Sequence, residues 1–252
     1  MIDYADLLTK AECLRIKLGQ DNHSPIDIFS LVQTIEKLTL VFYPMGDTIS
    51  GMCIKGEDGK CTIAINSSMT LGRQRFSLAH ELYHLYYDDN LSSICLKNVG
   101  IGNDIEKKAD SFAAYFLMPR ASLSQVVDKL LKKHKGGLSI EDIIYIEQYF
   151  GVSHKSALYQ LKSCGYINEK ELNKLSNIGV RHYALMMGYS EDLYLPLDEN
   201  KQYCTYGYYI STVEQLLKKD IISNGKYEEL LLEAFRPDLV YGDNKESGEI
   251  FD

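Results

Sequence analysis

One helical stretch decides the fold: Arg75-Phe76-Ser77-Leu78-Ala79-His80-Glu81-Leu82-Tyr83-His84, within a predicted helix over residues 69–87. Side chains at positions i and i+4 stand one above the other on a helix, so His80 and His84 can direct both imidazoles at one metal ion. Glu81 lies about 100° further around the helix axis, where it reaches a water molecule rather than the ion. The spacing therefore predicts a zinc site in which Glu81 activates water for peptide-bond hydrolysis.

A third zinc ligand is available on the next predicted helix, residues 104–117. Glu106 and Asp110 are also four residues apart, so both carboxylates share one face of that helix. We expect Glu106 to bind the zinc ion. Asp110 would accept the spare N–H of a ligand histidine and so fix its tautomer. The alternative is that Glu106 belongs to a solvated charged face together with Lys107 and Lys108.

The order of predicted elements indicates an α+β protein with a small antiparallel sheet. Two helices come first, one over residues 4–18 and one that starts at Ser24-Pro25. Three strands follow, and Glu57-Asp58-Gly59 is the turn between the last two. We expect a loop over residues 88–103. The predicted strands are Leu38–Tyr43, Ser50–Ile54 and Cys61–Ile65, and the later predicted helices are Ser122–His134, Ser139–Phe150 and Ser153–Cys164.

The pattern divides the chain into three segments. Residues 1–135 form the predicted metallopeptidase core, residues 136–167 resemble a helix-turn-helix unit, and residues 168–252 form a mainly helical C-terminal region to which the sequence assigns no role. In the second segment, the predicted second helix offers only Lys155 and Lys162 as strong cations. So few positive charges favour a pair of helices packed on the catalytic core over a DNA-binding unit.

Composition limits the possible partners and the compartment. The 252 residues carry a net charge of −8, which argues against an extensive phosphate-binding surface, so direct nucleic-acid binding is not expected. No secretory signal or membrane-spanning run is recognisable, so we expect a cytoplasmic protein without a membrane partner. The six scattered cysteines include no Cys-x-x-Cys pair and fit free thiols in a reducing compartment.

The helix that carries His80 and the later stretch Glu106-Lys107-Lys108-Ala109-Asp110-Ser111-Phe112-Ala113-Ala114-Tyr115-Phe116-Leu117-Met118-Pro119 resemble the two motifs of the ImmA/IrrE family of metallo-endopeptidases. The resemblance covers roughly residues 25–165. It implies a zincin-like, more narrowly gluzincin-like, catalytic core with Glu106 as the third zinc ligand. It also implies a protein substrate, a helix-turn-helix repressor that controls a mobile element or a stress response.

Tyr83 departs from the family pattern, which usually has glycine at this position. A bulky ring must either be accommodated by the elements packed on that side of the helix or lie towards the cleft. The departure leaves the expected ligands unchanged and concerns the shape of the pocket.

Three functions remain open at this point. The first is a zinc endopeptidase whose protein substrate lies extended along an edge strand of the sheet. The second is a regulatory module in which zinc is structural and residues 139–252 contact a protein partner or DNA. The third is a toxin-like component of a two-gene module.

Overall fold

Five short strands form one sheet in the part of the chain that the structure, a computed structural model, describes: residues 2–96, 103–133 and 137–242. β-branched and aromatic side chains are frequent in the central strands, as suits a pleated and buried surface. The order across the sheet is β4-β2-β3-β1-β5. The strands are β1 (Leu38–Tyr43), β2 (Ile49–Lys55), β3 (Cys61–Asn66), β4 (Ser92–Leu96) and β5 (Cys204–Gly207).

The predicted α+β class is confirmed, but the sheet is mixed rather than wholly antiparallel. β1 and β3 run parallel, with Leu38 beside Cys61 and Tyr43 beside Asn66, while the other three strand pairs are antiparallel. The turn at residues 57–59 pairs β2 with β3, as expected. β3 lies between β2 and β1 in the sheet. The chain reverses direction twice between β1 and β3, so these neighbouring strands are parallel.

Neither edge strand is among the three strands that the sequence predicts by residue range, although short strands are expected in the tyrosine-rich region that contains β5. β4 lies within the predicted loop over residues 88–103, of which residues 97–102 lie outside the described part. β5 comes from the C-terminal segment and pairs with β1. At its end Gly207 has φ 82°, and a Cβ there would lie 2.5 Å from the Leu38 carbonyl oxygen, so this position requires glycine.

Twelve α-helices surround the sheet in the described residues. A π-helical segment over residues 125–130 follows α5, so the predicted helix over 122–134 is divided, and its last residue lies outside the described part. The helices are α1 (Tyr4–Lys17), α2 (Ile28–Gln33), α3 (Leu71–Tyr87), α4 (Asp104–Leu117), α5 (Arg120–Ser124), α6 (Ile140–Phe150), α7 (His154–Ser163), α8 (Glu169–Leu175), α9 (Val180–Met186), α10 (Tyr208–Lys218), α11 (Asn224–Glu233) and α12 (Pro237–Tyr241).

The second helix begins later than predicted. The carbonyl oxygens of Ser24 and Ile26 accept hydrogen bonds from the side chains of Arg15 and Arg75, so neither is free for a helical turn. Asp27 caps α2 instead, because its carboxylate accepts the N–H of Phe29.

One hydrophobic core connects the helices and the sheet. α3 packs on β2 and β3 with one side and on α4 with the other. The core continues from α3 into α6, α7 and α8, through residues such as Phe150, Leu161 and Leu172. The division into three segments stays a prediction, but all three contribute to this core. No helix in the described ranges is long and apolar enough to span a membrane.

Candidate metal centre

Three donor groups from α3 and α4 converge at one point. The Nε2 atoms of His80 and His84 are 3.2 Å apart. The carboxylate oxygens of Glu106 lie 3.2 Å from the Nε2 atom of His80 and 3.5 Å from that of His84. Asn103 caps α4 by accepting the N–H groups of Ile105 and Glu106, which fixes the first turn that presents this carboxylate. The structure thus brings together the three residues that the sequence predicts as ligands.

Each imidazole is held from behind by its own carboxylate. The Nδ1 atom of His80 lies 2.9 Å from an oxygen of Asp110, and that of His84 lies 2.8 Å from an oxygen of Asp88. Asp110 occupies the predicted position. Asp88 was not predicted, although it follows His84 by four residues and caps the end of α3. Both contacts place the ring proton on Nδ1 and turn the Nε2 lone pair towards the shared point.

The arrangement fits a metal cation. Because both Nδ1 atoms are hydrogen-bonded to carboxylates, two nitrogen lone pairs and the Glu106 carboxylate face one another. These groups are all acceptors and repel one another unless a proton or a cation lies between them. Burial favours the neutral ring, yet the hydrogen bonds to Asp110 and Glu106 raise the pKa of His80 well above its usual value. Burial and the nearby charge of His80 lower the pKa of His84. A divalent ion placed between the two rings and Glu106 would satisfy the facing lone pairs.

Glu81 lies beside this group and is fully buried. Burial raises the pKa of its carboxyl to about 7. One of its oxygens is 3.4 Å from the Ser93 hydroxyl, and the other, Oε1, has no hydrogen-bond partner among the described residues. Gly51 makes room for it, because a Cβ at that position would lie 2.9 Å from Oε1. A buried carboxylate with a free acceptor oxygen suits a general base for water.

Cys95 is a fourth donor that sequence reasoning missed. Its Sγ atom belongs to a group with ligand atoms of His80, His84 and Glu106 in which all four atoms lie within 4.8 Å of one another. Cys95 is on β4 and is 1% exposed, and burial raises the pKa of its thiol to about 12. No sequence signal indicated this residue, because its approach depends on the pairing of β4 with β2.

A cleft of about 410 Å³ opens beside His80 between α3 and the start of α7. Its walls include Arg73 and Ser77 from α3 and Ser156 from α7. The N-terminal ends of both helices approach closely, since a Cβ at Gly72 would lie 2.8 Å from the amide nitrogen of Ser153. Of the four donor residues, His80 is the one that lines this cleft.

Tyr83 lies away from the cleft. Its ring is 4% exposed and packs against Phe112 and Tyr87, with centroid distances of 5.6 and 5.9 Å. The side facing α4 therefore accommodates the ring that stands in place of the usual glycine, and Tyr83 does not line the cleft.

A helix with the pattern His-Glu-x-x-His, packed on a small sheet and facing a carboxylate from a following helix, defines the class of zincin-type metallopeptidase domains. Residues 41–162 match the peptidase family model described as the IrrE N-terminal-like domain, and the whole donor group lies within this match. Over these residues the chain is similar to the ImmA/IrrE family.

Two individual proteins are also similar to the chain. The radiation response metalloprotease IrrE of Deinococcus deserti is 32% identical over 149 residues, which are 57% of this chain and 47% of the relative. The chain thus spans about half the length of the curated relative it matches. A solved structure described as a Mycobacterium tuberculosis transcriptional regulator aligns with a TM-score of 0.41 and 17% identity, over 63% of this chain and 46% of that chain.

Proposed function

We propose that the protein is a zinc-dependent endopeptidase in which His80, His84 and Glu106 hold the ion. The observation that supports this proposal most strongly is the convergence of both Nε2 atoms on one carboxylate. Two imidazoles and one carboxylate are a ligand set that favours zinc among the common divalent ions. Asp110 and Asp88 orient the two rings, and Glu81 is the general base.

The chemistry of the residues fits hydrolysis. A zinc ion held here supplies a Lewis acid and lowers the pKa of water to about 7. Glu81 accepts a proton from water through its free oxygen and returns it to the departing amine. Burial raises the pKa of Glu81 to about 7 in the metal-free protein, and a bound cation would favour the charged carboxylate, which is the form that accepts a proton.

The substrate we propose is a protein segment in extended conformation, and the finer candidate is a helix-turn-helix repressor of a mobile element or a stress response. β4 is the edge strand on the side of the donor group, and an edge strand can pair with an extended peptide through main-chain hydrogen bonds. The family resemblance and the radiation response named for the Deinococcus relative support a regulatory substrate.

The variant Glu81→Gln tests the mechanism. Loss of a general base should lower the cleavage rate by about 10²- to 10⁴-fold while zinc remains bound. The assay incubates purified protein with a helix-turn-helix repressor, taken from the neighbouring genes where one is encoded there, and measures fragments by mass spectrometry. Glu57→Gln, at an exposed glutamate, is the control. Full cleavage by Glu81→Gln would contradict the proposed mechanism.

A second candidate function is a regulatory binding module with a structural zinc ion. One observation favours it, namely that Cys95 brings the number of protein donors to four, which is typical of structural rather than catalytic zinc. In that case Glu81→Gln would leave the regulatory effect intact in cells.

A further inference from the structure

The donor group contains one ligand more than a hydrolytic zinc site requires. Catalytic zinc is held by three protein ligands and keeps a fourth position for water, whereas four protein ligands close the site. Cys95 offers a sulfur atom within 4.8 Å of the ligand atoms of His80, His84 and Glu106. Thiolate, imidazole and carboxylate are all ordinary zinc ligands.

The pairing of β4 fixes the position of this cysteine. Cys95 lies opposite Gly51 on β2, and Ser93 lies opposite Cys53. The two β4 residues are two positions apart and therefore share the face of the sheet that Glu81 covers. A register irregularity occurs in β2 between Ile49 and Gly51.

The hydroxyl of Ser50, within this irregular stretch, anchors the end of β4. It donates towards the carbonyl oxygens of Cys95 and Leu96, at 3.1 and 3.2 Å. The strand therefore holds the main chain of Cys95 beside the donor group.

The unpaired oxygen of Glu81 also indicates a ligand site beside the donor group. Oε1 of Glu81 is buried and has no hydrogen-bond partner among the described residues, although buried acceptors are almost always satisfied. In an open centre a water molecule would satisfy this oxygen. A sulfur atom in the fourth position would leave no place for that water.

We propose that Cys95 is a fourth zinc ligand that closes the centre in a resting, latent state. This inference rests on the proposed function, because latency requires that the open centre hydrolyses peptides. On closing, the water molecule in the fourth position would leave the ion, a zinc–sulfur bond would form in its place and the thiol proton would leave to solvent. On opening, that bond breaks, the sulfur takes a proton back from solvent and water occupies the vacated position.

The place of β4 in the fold permits this change. β4 has five residues and forms one edge of the sheet, so among the described strands it is paired with β2 alone. A shift of this strand breaks hydrogen bonds to one neighbour and leaves the central pairs of β3 with β1 and β2 intact. Withdrawal of Cys95 is therefore separable from unfolding of the core.

Cobalt substitution tests the ligand directly. The full-length protein is stripped of metal and loaded with Co²⁺, and its absorption spectrum is recorded for the wild type, Cys95→Ser and Cys53→Ala. Cys53 is the matched control, since it is a buried cysteine on the neighbouring strand and the same face. We expect a thiolate-to-cobalt charge-transfer band in the wild type and in Cys53→Ala, and its loss in Cys95→Ser.

Zinc affinity gives a second readout. Contacts outside the ligand shell already change zinc affinity by about 10- to 100-fold, so removal of a direct ligand should weaken binding at least about tenfold. If Cys95→Ser does not fold, X-ray absorption of the zinc-loaded wild type decides, through a zinc–sulfur distance of about 2.3 Å. A wild-type centre with nitrogen and oxygen ligands alone would overturn the inference.

The two proposals fail in different ways. Absence of a sulfur ligand together with cleavage that depends on Glu81 rejects Cys95 and leaves the peptidase. A sulfur ligand in the wild type without cleavage by zinc-loaded Cys95→Ser rejects the peptidase and its latency, and assigns zinc a structural role. Latency predicts faster cleavage by zinc-loaded Cys95→Ser than by the wild type.

Discussion

Two buried histidine–carboxylate clusters in this molecule use the same groups in opposite ways. At the metal centre, each of His80 and His84 uses Nδ1 for a carboxylate behind it, and the two Nε2 atoms face each other and the shared carboxylate of Glu106. In the second cluster, His154 contacts an acceptor with both nitrogens: Glu147 at 2.5 Å and the carbonyl oxygen of Leu175 at 3.0 Å. A ring between two acceptors is satisfied as an imidazolium ion, whereas two rings whose lone pairs face each other require a cation.

The second cluster joins helices rather than binding a ligand. Glu147 on α6 is fully buried and accepts hydrogen bonds from His154 on α7 and from the hydroxyl of Tyr194, the latter at 2.9 Å. His154 in turn reaches the end of α8 through Leu175. The comparison shows that burial and a carboxylate partner do not identify a metal ligand, whereas two imidazole nitrogens that face each other and one carboxylate do point to a metal site.

The largest effect on stability should come from the structural cluster. Glu147→Ala leaves His154 and Tyr194 without their buried acceptor, so we expect unfolding free energy to fall by about 3–5 kcal/mol. Zinc affinity of the folded variant should stay unchanged. Urea unfolding and zinc titration measure both, with the exposed Glu141→Ala on the same helix as the control. Loss of zinc binding in folded Glu147→Ala would contradict the claim that the Glu147 cluster and the metal centre are independent.

Next in size is a displacement of Glu81 by Gly51→Ala. The added Cβ would lie 2.9 Å from Oε1 of Glu81 and 3.1 Å from the Ala64 carbonyl oxygen, so the carboxylate must move. A misplacement of about 1 Å costs about 100-fold in rate, and we expect that loss with zinc retained. Gly56→Ala on the same hairpin is the control, because its Cβ meets the Lys60 carbonyl oxygen at 3.4 Å. Equal cleavage rates for Gly51→Ala and Gly56→Ala would contradict the claim that glycine at position 51 is needed to position the Glu81 carboxylate.

Asp110→Asn should weaken zinc binding without a large loss of stability. The amide no longer holds the proton on Nδ1 of His80, so the ring can turn its lone pair away from the metal. We expect zinc affinity about 10- to 100-fold lower, as for other carboxylates behind ligand histidines. Competition with a chromogenic chelator measures the change. Asp104→Asn, an exposed position on α4, should stay at the wild-type value.

The smallest effect we predict is a pH dependence of stability at His154. Burial alone would lower the pKa of this ring, but the hydrogen bond and charge of Glu147 outweigh burial and raise it. A raised pKa in the folded state stabilises the protein fully below the unfolded value of about 6.5, and this contribution is lost as pH rises through the folded pKa.

The difference in unfolding free energy between wild type and His154→Gln should therefore be largest in weak acid and shrink as the pH rises. Urea unfolding of the metal-free proteins measures it, and the contribution of His80 cancels in the difference. A gap that grows with pH would contradict a charged His154.

The sequence predicts those parts of the site that depend on one helix at a time. His80, Glu81 and His84 follow from the helical period, and the positions of Glu106 and Asp110 from the same period on α4. Asp88 was within reach of the same argument, since it follows His84 by four residues, but a predicted loop was assigned there. The predicted helix and α3 both end at Tyr87, so Asp88 was counted with the loop although, as the residue directly after the helix, it still lies one turn beyond His84.

Contacts between distant strands were not predictable in this way. Cys95 meets the donor group only because β4 pairs with β2 in one register, and an irregularity near Gly51 shifts that register. β3 pairs with β1 on one side and with β2 on the other. Because the chain reverses direction twice between β1 and β3, these two strands run parallel. The order of strand patterns along the sequence does not encode this arrangement. β5 joins the sheet from about 140 residues further along the chain than β3. No periodicity within a short window carries this information.

The zinc content of the purified protein tests the central claim most directly. Mass spectrometry of the metal should give one zinc ion per chain for the wild type and for Glu81→Gln. The double variant His80→Ala/His84→Ala, with its fold checked by circular dichroism, should contain none. Undiminished zinc in the folded double variant would contradict the assignment of the two α3 histidines as the metal ligands.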